Sequence, residues 1–408
     1  MDSTTQADFL WLMSTAAGPL LEQTETSFCE RMNPVRIAKT LRKRTSAARA
    51  AMIMEQSQLR IRARVKFKLA DQMFLTRRGL EQATGENLAR YKAARFAGLS
   101  NVVDVCCGIG GDLIPLIGRS AAQTTIGIDS HPLTTLFARH NAGLIDILPN
   151  QSVRVSPIEF EKFDFSDCDG IHCDPDRRVS ERTVVGARFS PPLGEVFRRI
   201  GTHKNLAVKV APATPISADV PVEVQREWIG DRRECKQQVI WYGSHFGSPG
   251  FRTATYIEAD SVHQLSISEE DLGITIEISN RIQRYLYEPH ASVLAAGLTN
   301  ALAVQSNTMR MAVDVDYLTS TQPIEHPMLT RFEVVELFSM DLRRTVEFLK
   351  KREIGLVEIK KRGVGKVLVD QFERMKISGP HRATVFLTRI GSQRIVAIAR
   401  RRADDFPI

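Results

Sequence analysis

The sequence predicts an α/β protein: a doubly wound parallel sheet, preceded by a helical region and followed by smaller α+β units. Three observations carry this. Between Asn101 and Asp129, NVVDVCCGIGGDLIPLIGRSAAQTTIGID reads as a buried strand, a glycine turn, a helix and a second buried strand. Strand-like and helix-like stretches then alternate to about residue 210, the pattern of parallel βαβ units. After that, β-rich segments follow one another without helices between them, which predicts an antiparallel ribbon at the sheet edge.

Length and composition set the bounds. A chain of 408 residues has room for two to four domains. Its 43% hydrophobic and 25% charged content is that of an ordinary globular protein. No apolar run approaches the length that spans a bilayer. MDSTTQADFLWLM lacks a basic stretch ahead of an apolar core, so no secretory signal is expected and the predicted location is the cytoplasm. Cys29, Cys106, Cys107, Cys168, Cys173 and Cys235 have neither the paired spacing of a zinc site nor the density of a secreted scaffold, and no metal is expected. The net charge of +8 is unevenly spread. Residues 30–95 and 341–402 are basic, with RIAKTLRKR, RIRARVKFK and KKRGVGK, and the centre is net acidic. Two basic flanks around an acidic centre predict a polyanion held beside a catalytic module. Taken singly, each run reads equally well as a solvated helix face.

In chain order, residues 1 to about 70 read as helical, with Asn33 capping a helix that Pro34 opens. From Arg60 to Phe67, basic residues alternate with small or apolar ones, so one face is strongly positive. Thr84 is the expected N-cap of a helix with the stripe Leu88, Tyr91 and Phe96, placed to close over a cofactor. After Asp129 come a helix (HPLTTLFARHNAGL), a strand (SVRVSPIEF), a strand ending at Asp174, a helix (SPPLGEVFRRIG) and a strand (NLAVKVAPA). RIQRYLYEPHASVLAAGLTNALA reads as a helix containing a proline, and short strand and helix units from FEVVELF onward suit one or two α+β domains.

The chemistry concentrates at strand ends. In VVDVCCGIGG a strand hands over to a helix while Gly108, Gly110 and Gly111 let the backbone approach a ligand closely. A dinucleotide fingerprint needs GxGxxG. Here Cys106 holds the first glycine position and Gly111 falls one place early, which fits a chain curling around the methionine part of S-adenosylmethionine better than a pyrophosphate cradle. Asp104 and Cys106 belong to this turn, and Asp129 can accept both ribose hydroxyls. Either Glu159 or Asp164, after the third strand, is expected near the adenine amino group; an ordinary surface acid is the alternative for each. In HCDPDRR, Asp174, Pro175 and Asp176 lie where a nucleophile would be oriented, because methyl transfer from a sulfonium needs alignment and a partner for the proton more than strong acid–base force. Arg177 and Arg178 suit a nearby phosphate. Lys209 reads as a substrate-phosphate contact or a plain strand-edge lysine. His131 and His172 form no metal-ligand set.

DVCCGIGGD, GIDSHP with ARHNA, and DPDRR resemble class I S-adenosylmethionine-dependent methyltransferases, especially the branch acting on amino groups of guanine or adenine in RNA. EQATGENLARY resembles the segment ahead of the fold in guanine-N2 RNA methyltransferases. RYLYEPHASVLAAGL with DYLT is similar to the ferredoxin-like insert of a bacterial methyltransferase group, and IKKRGV with ISGPHRATVFLTRIGSQRIVAIARR to that group's THUMP-like domain. The resemblance covers most of the chain from about Leu75 to Arg402. It implies a basic helical region over 1–100, a Rossmann-like methyltransferase core over 101–258, a small ferredoxin-like domain over 259–330 and a THUMP-like RNA-binding domain over 331–408. The implied cofactor is S-adenosylmethionine, and the implied partner is RNA (tRNA or rRNA) rather than a membrane or metal. One departure stands out. Amino-methylating relatives carry Pro-Pro and an aromatic after the acid, whereas this chain has Asp174-Pro175-Asp176-Arg177. Phe189, Trp228 and Trp241 are the candidates to replace that stack, and a ring nitrogen, ribose or non-nucleic acceptor stays open. A small-molecule or protein methyltransferase, or a catalytically silent RNA-binding protein, are the rival readings.

Overall fold

Strand β1 (Asn101–Val105) is buried along Val102 to Val105, each at 1% exposure or less, as branched residues with a strand on either side must be. The computed structural model that places it describes residues 6–119, 124–178, 188–201, 205–216, 218, 220–312, 314–401 and 405–406. The chain divides into two compact units, Met1–Val210 with Thr214–Val224 and Val239–Pro249, and Ala211–Ala213 with Gln225–Gln238 and Gly250–Ile408.

The first unit begins with helices α1 (Gln6–Leu12), α2 (Gly18–Cys29), α3 (Pro34–Leu41), α4 (Ala47–Ala63), α5 (Arg77–Gln82) and α6 (Glu86–Ala94). Asn33 caps α3 as expected, its side chain accepting the Val35 N–H at 2.8 Å ahead of Pro34. Leu12, Leu21, Leu41 and Ile53 pack together as the core of the first four helices. Two expectations are corrected here. The cap of α6 is Gly85, because the Thr84 hydroxyl is used elsewhere. The basic stretch from Arg60 is not one positive face either, since α4 carries Arg60 inward at 6% exposure. There it meets Glu25 at 3.3 Å and donates to the Met73 carbonyl at 2.8 Å. Lys66 spends its ammonium on the Leu80 and Ala83 carbonyls at the end of α5, at 2.7 and 3.1 Å. Arg62 and Arg64 remain outward.

Beyond β1 come α7 (Leu113–Ile117), β2 (Thr124–Ile128), α8 (Pro132–Ala142), β3 (Ser152–Ser156), β4 (Gly170–Cys173), a short ribbon of β5 (Asp176–Arg178) and β6 (Arg188–Ser190), α9 (Leu193–Ile200) and β7 (Asn205–Val210). Strands β7, β4, β1, β2 and β3 lie in that order and pair in parallel. Chain order reverses at β1, with β2 on one side and β4 on the other, so a crevice opens at the carboxyl ends of β1, β2 and β4.

In the second unit, β10 (Phe251–Glu258) pairs antiparallel with β11 (Ser261–Ser268) but parallel with β8 (Gln225–Asp231), so the expected antiparallel ribbon is only partly that. Strand β9 (Glu234–Tyr242) begins in this unit and ends in the first. The stretch read as a proline-containing helix is a strand, β12 (Tyr285–Pro289), followed by α10 (Ala291–Ala296) and α11 (Thr299–Gln305). Pro289 ends the strand and His290 caps α10 through Ser292 N–H. Then follow β13 (Met309–Ala312), β14 (Val315–Ser320), β15 (Leu329–Ser339), α12 (Leu342–Lys351), β16 (Ile354–Lys361), α13 (Lys366–Glu373), β17 (His381–Ile390) and β18 (Gln393–Arg400). These and β12 form one seven-stranded sheet in the order β13-β14-β12-β15-β18-β17-β16. The separation expected at residue 330 therefore falls inside β15, whose first half pairs with β12 and second half with β18.

Arg60→Met leaves the Glu25 carboxylate buried with only the more distant Arg64. It should lower unfolding stability by about 3 kcal/mol in urea titrations at neutral pH, whereas a change of a few tenths would show that Arg60 is mainly a packing element.

Candidate active site

The glycine turn is built at the carboxyl end of β1. Cys106, Gly108 and Gly110 take φ of 56°, 55° and 92°, the left-handed region, so the chain turns back on itself three times in five residues. The glycines do different jobs. Among the described residues a Cβ at Gly108 would meet nothing within 4 Å, which leaves that backbone open to a ligand. A Cβ at Gly111 would press to 3.1 Å from the Ala83 side chain, so this position serves close packing of the segment before α6. Asp129 braces the turn: Oδ2 accepts Gly108 N–H at 3.1 Å and Oδ1 accepts His131 N–H at 2.9 Å. Cys107 is buried beside β2, its N–H bonded to the Ile128 carbonyl. Glu159 has a local contact, an ion pair with Lys162 at 2.8 Å, and its side chain is 53% exposed. Asp164 accepts Ser166 N–H at 2.9 Å.

Beneath the turn lies a buried polar chain. Asp104, 1% exposed, meets His172 Nδ1 through Oδ1 at 2.7 Å. His172 Nε2 lies 3.2 Å from Lys92 Nζ, so the arrangement assigns the ring proton to Nδ1. Lys92, on α6, forms an ion pair with Asp112 at 2.7 Å, and Thr84 Oγ1 donates to the other Asp112 oxygen at 2.8 Å. Burial works to raise the Asp112 carboxyl, but the Lys92 and Lys209 ammonium groups outweigh it and hold the group well below the usual carboxylate range. Asp104 goes the other way, raised by burial against the pull of His172. Among the described residues its Oδ2 is a buried acceptor with no donor, which fits a site that receives a ligand amine.

The acceptor-side loop follows β4. The register pairs Cys173 with Val208, so the next step sets Asp174 opposite Lys209. Asp174 N–H donates to the Val105 carbonyl at 3.2 Å, and Asp174 Oδ2 lies 2.6 Å from Lys209 Nζ. Lys209 also donates to the Gln82 carbonyl at 3.2 Å. Burial works to lower the Lys209 ammonium, but Asp174 and Asp112 outweigh it and the net shift is upward. Past Pro175, Asp176 is held from α5 by an ion pair with Arg78 and by Gln82 Nε2 at 3.2 Å. Of the three aromatic candidates, Trp228 and Trp241 are core residues at 2% and 1% exposure and offer no face to a base. Phe189, half-buried on β6, is paired with Arg177 in the ladder beside the loop.

The structure brings Asp104, the glycine turn, Asp129 and the DPD loop, all singled out in the sequence, to the carboxyl-end region of β1, β2 and β4. The sequence reading did not single out Lys92, Asp112, Arg78 and Gln82, which stand beside them. A signal existed for Lys92: it lies four residues after Leu88 and four before Phe96, on the apolar stripe, where a lysine needs a buried partner.

A crystal structure of a protein from Porphyromonas gingivalis, provisionally called a methyltransferase, matches 98% of this chain and 99% of its own with a TM-score of 0.75 at 19% identity. The chain has a class I methyltransferase fold. The THUMP domain-like family matches residues 329–401, from β15 through β18. Two proteins from two strains of Mycobacterium tuberculosis, each named an uncharacterized S-adenosylmethionine-dependent methyltransferase, are 27% identical over 356 residues, covering 84% of this chain and 94% of each relative. Within this methyltransferase fold, no described helix is long and apolar enough to cross a membrane. Among the described residues no group of three or more His, Cys, Asp and Glu side chains converges on a metal position.

Gly108→Ala should cost about 1 kcal/mol of stability from its left-handed backbone and weaken S-adenosylmethionine binding at least about tenfold by calorimetry; an unchanged affinity would show that the ligand does not approach there. Asp112 contributes stability that is complete above its unfolded value near 3.8 and is lost progressively as the pH falls from there through its depressed folded value. Asp112→Asn should therefore flatten the loss of stability below about pH 4, measured by urea titration across that range.

Proposed function

We propose that this S-adenosylmethionine-dependent methyltransferase modifies a base in structured RNA, tRNA or rRNA, in the cytoplasm. The observation that carries the RNA reading is the charge of the THUMP-like domain. Arg343, Lys350, Lys351, Lys366, Arg374 and Lys376 are all exposed on or beside α12 and α13, the array a phosphate backbone needs. The basic N-terminal flank supports it less, because Arg60 and Lys66 are spent internally.

In this reading Gly108 and Gly110 admit the cofactor, Asp129 accepts its ribose hydroxyls, and Asp104 Oδ2 takes its amine. Bound there, S-adenosylmethionine supplies an electrophilic methyl group on a sulfonium. The chain's own contribution is alignment. Asp174 and Asp176, fixed by Lys209, Arg78 and Gln82, hold the nucleophile in line and keep the crevice polar only where a proton must leave. Glu159, paired with Lys162, and Asp164, bonded to Ser166 N–H, are both exposed and both remain candidates for the adenine amino group.

Tritiated S-adenosylmethionine should label RNA from a strain lacking the protein and leave wild-type RNA unlabelled. RNA binding should weaken steeply between about 50 and 200 mM salt. Asp174→Ala should cut transfer by about a hundredfold or more while sparing cofactor affinity. Labelling of protein or small molecules, with none in RNA, would favour a different acceptor.

A further inference from the structure

We propose that Asp174 and Lys209 form a paired acceptor and donor that reads a lactam edge, the adjacent N–H and C=O of a guanine- or uracil-type base, and that its ring nitrogen is the atom methylated. This rests on the RNA methyltransferase reading above. Both side chains stand at the carboxyl ends of neighbouring strands, 2.6 Å apart, partly open at 29% and 14% exposure. Lys209 holds Asp174 Oδ2, leaving Oδ1 as the oxygen to accept an N–H. The Gln82 carbonyl takes a second ammonium proton and fixes the direction of the third.

Charge decides between acceptor types. An amino group attacking a sulfonium gathers positive charge, and it gains most from a carboxylate that no cation has already neutralised. Here Asp174 is neutralised by Lys209 and Asp176 by Arg78. A lactam behaves oppositely. As its N–H proton passes to Asp174 Oδ1, negative charge builds on the neighbouring carbonyl oxygen, and Lys209 Nζ is placed to meet it. The nitrogen electron pair forms the N–CH3 bond, the S–CH3 bond breaks with its pair left on sulfur, and the proton departs from Asp174 to solvent. Atoms and charge balance: one N–H and one sulfonium give one N–CH3, one thioether and one proton. Asp174 and Asp112 keep the ammonium charged against the nearby Lys92. Adenine and cytosine edges also present a donor beside an acceptor, but the charge they develop is the wrong sign for this pair.

The test uses the full chain, isotope-labelled S-adenosylmethionine and RNA from a strain lacking the protein, digested to nucleosides and resolved by mass spectrometry. The label should sit on a ring nitrogen of guanosine or uridine. Lys209→Met should lower the rate at saturating RNA by about a hundredfold with cofactor affinity within about threefold, and Lys209→Arg should recover about tenfold of that loss. Label on an exocyclic amino group, a carbon or a ribose oxygen overturns this inference and leaves the RNA reading standing, as does a fully active Lys209→Met. Absence of transfer to any RNA by the wild-type chain overturns both.

Discussion

The ion pair between Lys92 and Asp112, buried under the glycine turn, is the constraint on which the active-site crevice depends. Taking two charges out of water costs several kcal/mol each, so such a pair persists only where its remaining valences are filled. They are: Thr84 supplies a second donor to Asp112, and His172 accepts from Lys92 and passes the chain on to Asp104. Helix α6, β1 with the turn that follows it, and the sequence-distant β4 are thereby fixed to one another. The glycine turn and the strand that delivers Asp174 share a single buried anchor. An apolar substitute for the whole set would cost less to bury, but it would not fix the direction of each element.

What the sequence made legible follows from how local each signal was. The parallel strands β1, β2 and β4, the glycine turn after β1 and the acids Asp129 and Asp174 just past β2 and β4 are written in consecutive residues, and these stand where the sequence placed them along the chain. The helix over Thr84–Phe96 was legible, but its cap was not, because Thr84 looks like a capping residue until its hydroxyl is seen to serve Asp112. Lys209 could be read two ways as long as its neighbour was unknown. Its pairing with Asp174 is decided by the β4–β7 register, across 35 positions of sequence. RIQRYLYEP misled for a related reason. Its bulky residues satisfy helical spacing as well as strand alternation, and only the β14 and β15 partners choose the strand.

Charge composition was the least transferable signal. The basic N-terminal stretch supplies a buried counter-ion at Arg60 and a helix-end cap at Lys66, so a count of lysines and arginines overstates what it offers to a polyanion. In the second unit some cations are also spent, as Arg400 is on Glu333 and Lys360 on Glu288. The cations on and beside α12 and α13, Arg343, Lys350, Lys351 and Lys366 among them, face outward, which is why the RNA reading leans on them.

Strand β15 ties the second unit together in a way that bears on how it comes apart. Its eleven residues donate one end to β12 and the other to β18, with a bulge between Val334 and Glu336 re-aiming the ladder. Neither half of the seven-stranded sheet can fray through this strand without exposing the hydrogen-bonding edge of the other. Through this strand the two halves form one continuous ladder from β13 to β16. A cut before Leu329 would carry β15 away with β16, β17 and β18 and strip β12 of one of its two ladder partners.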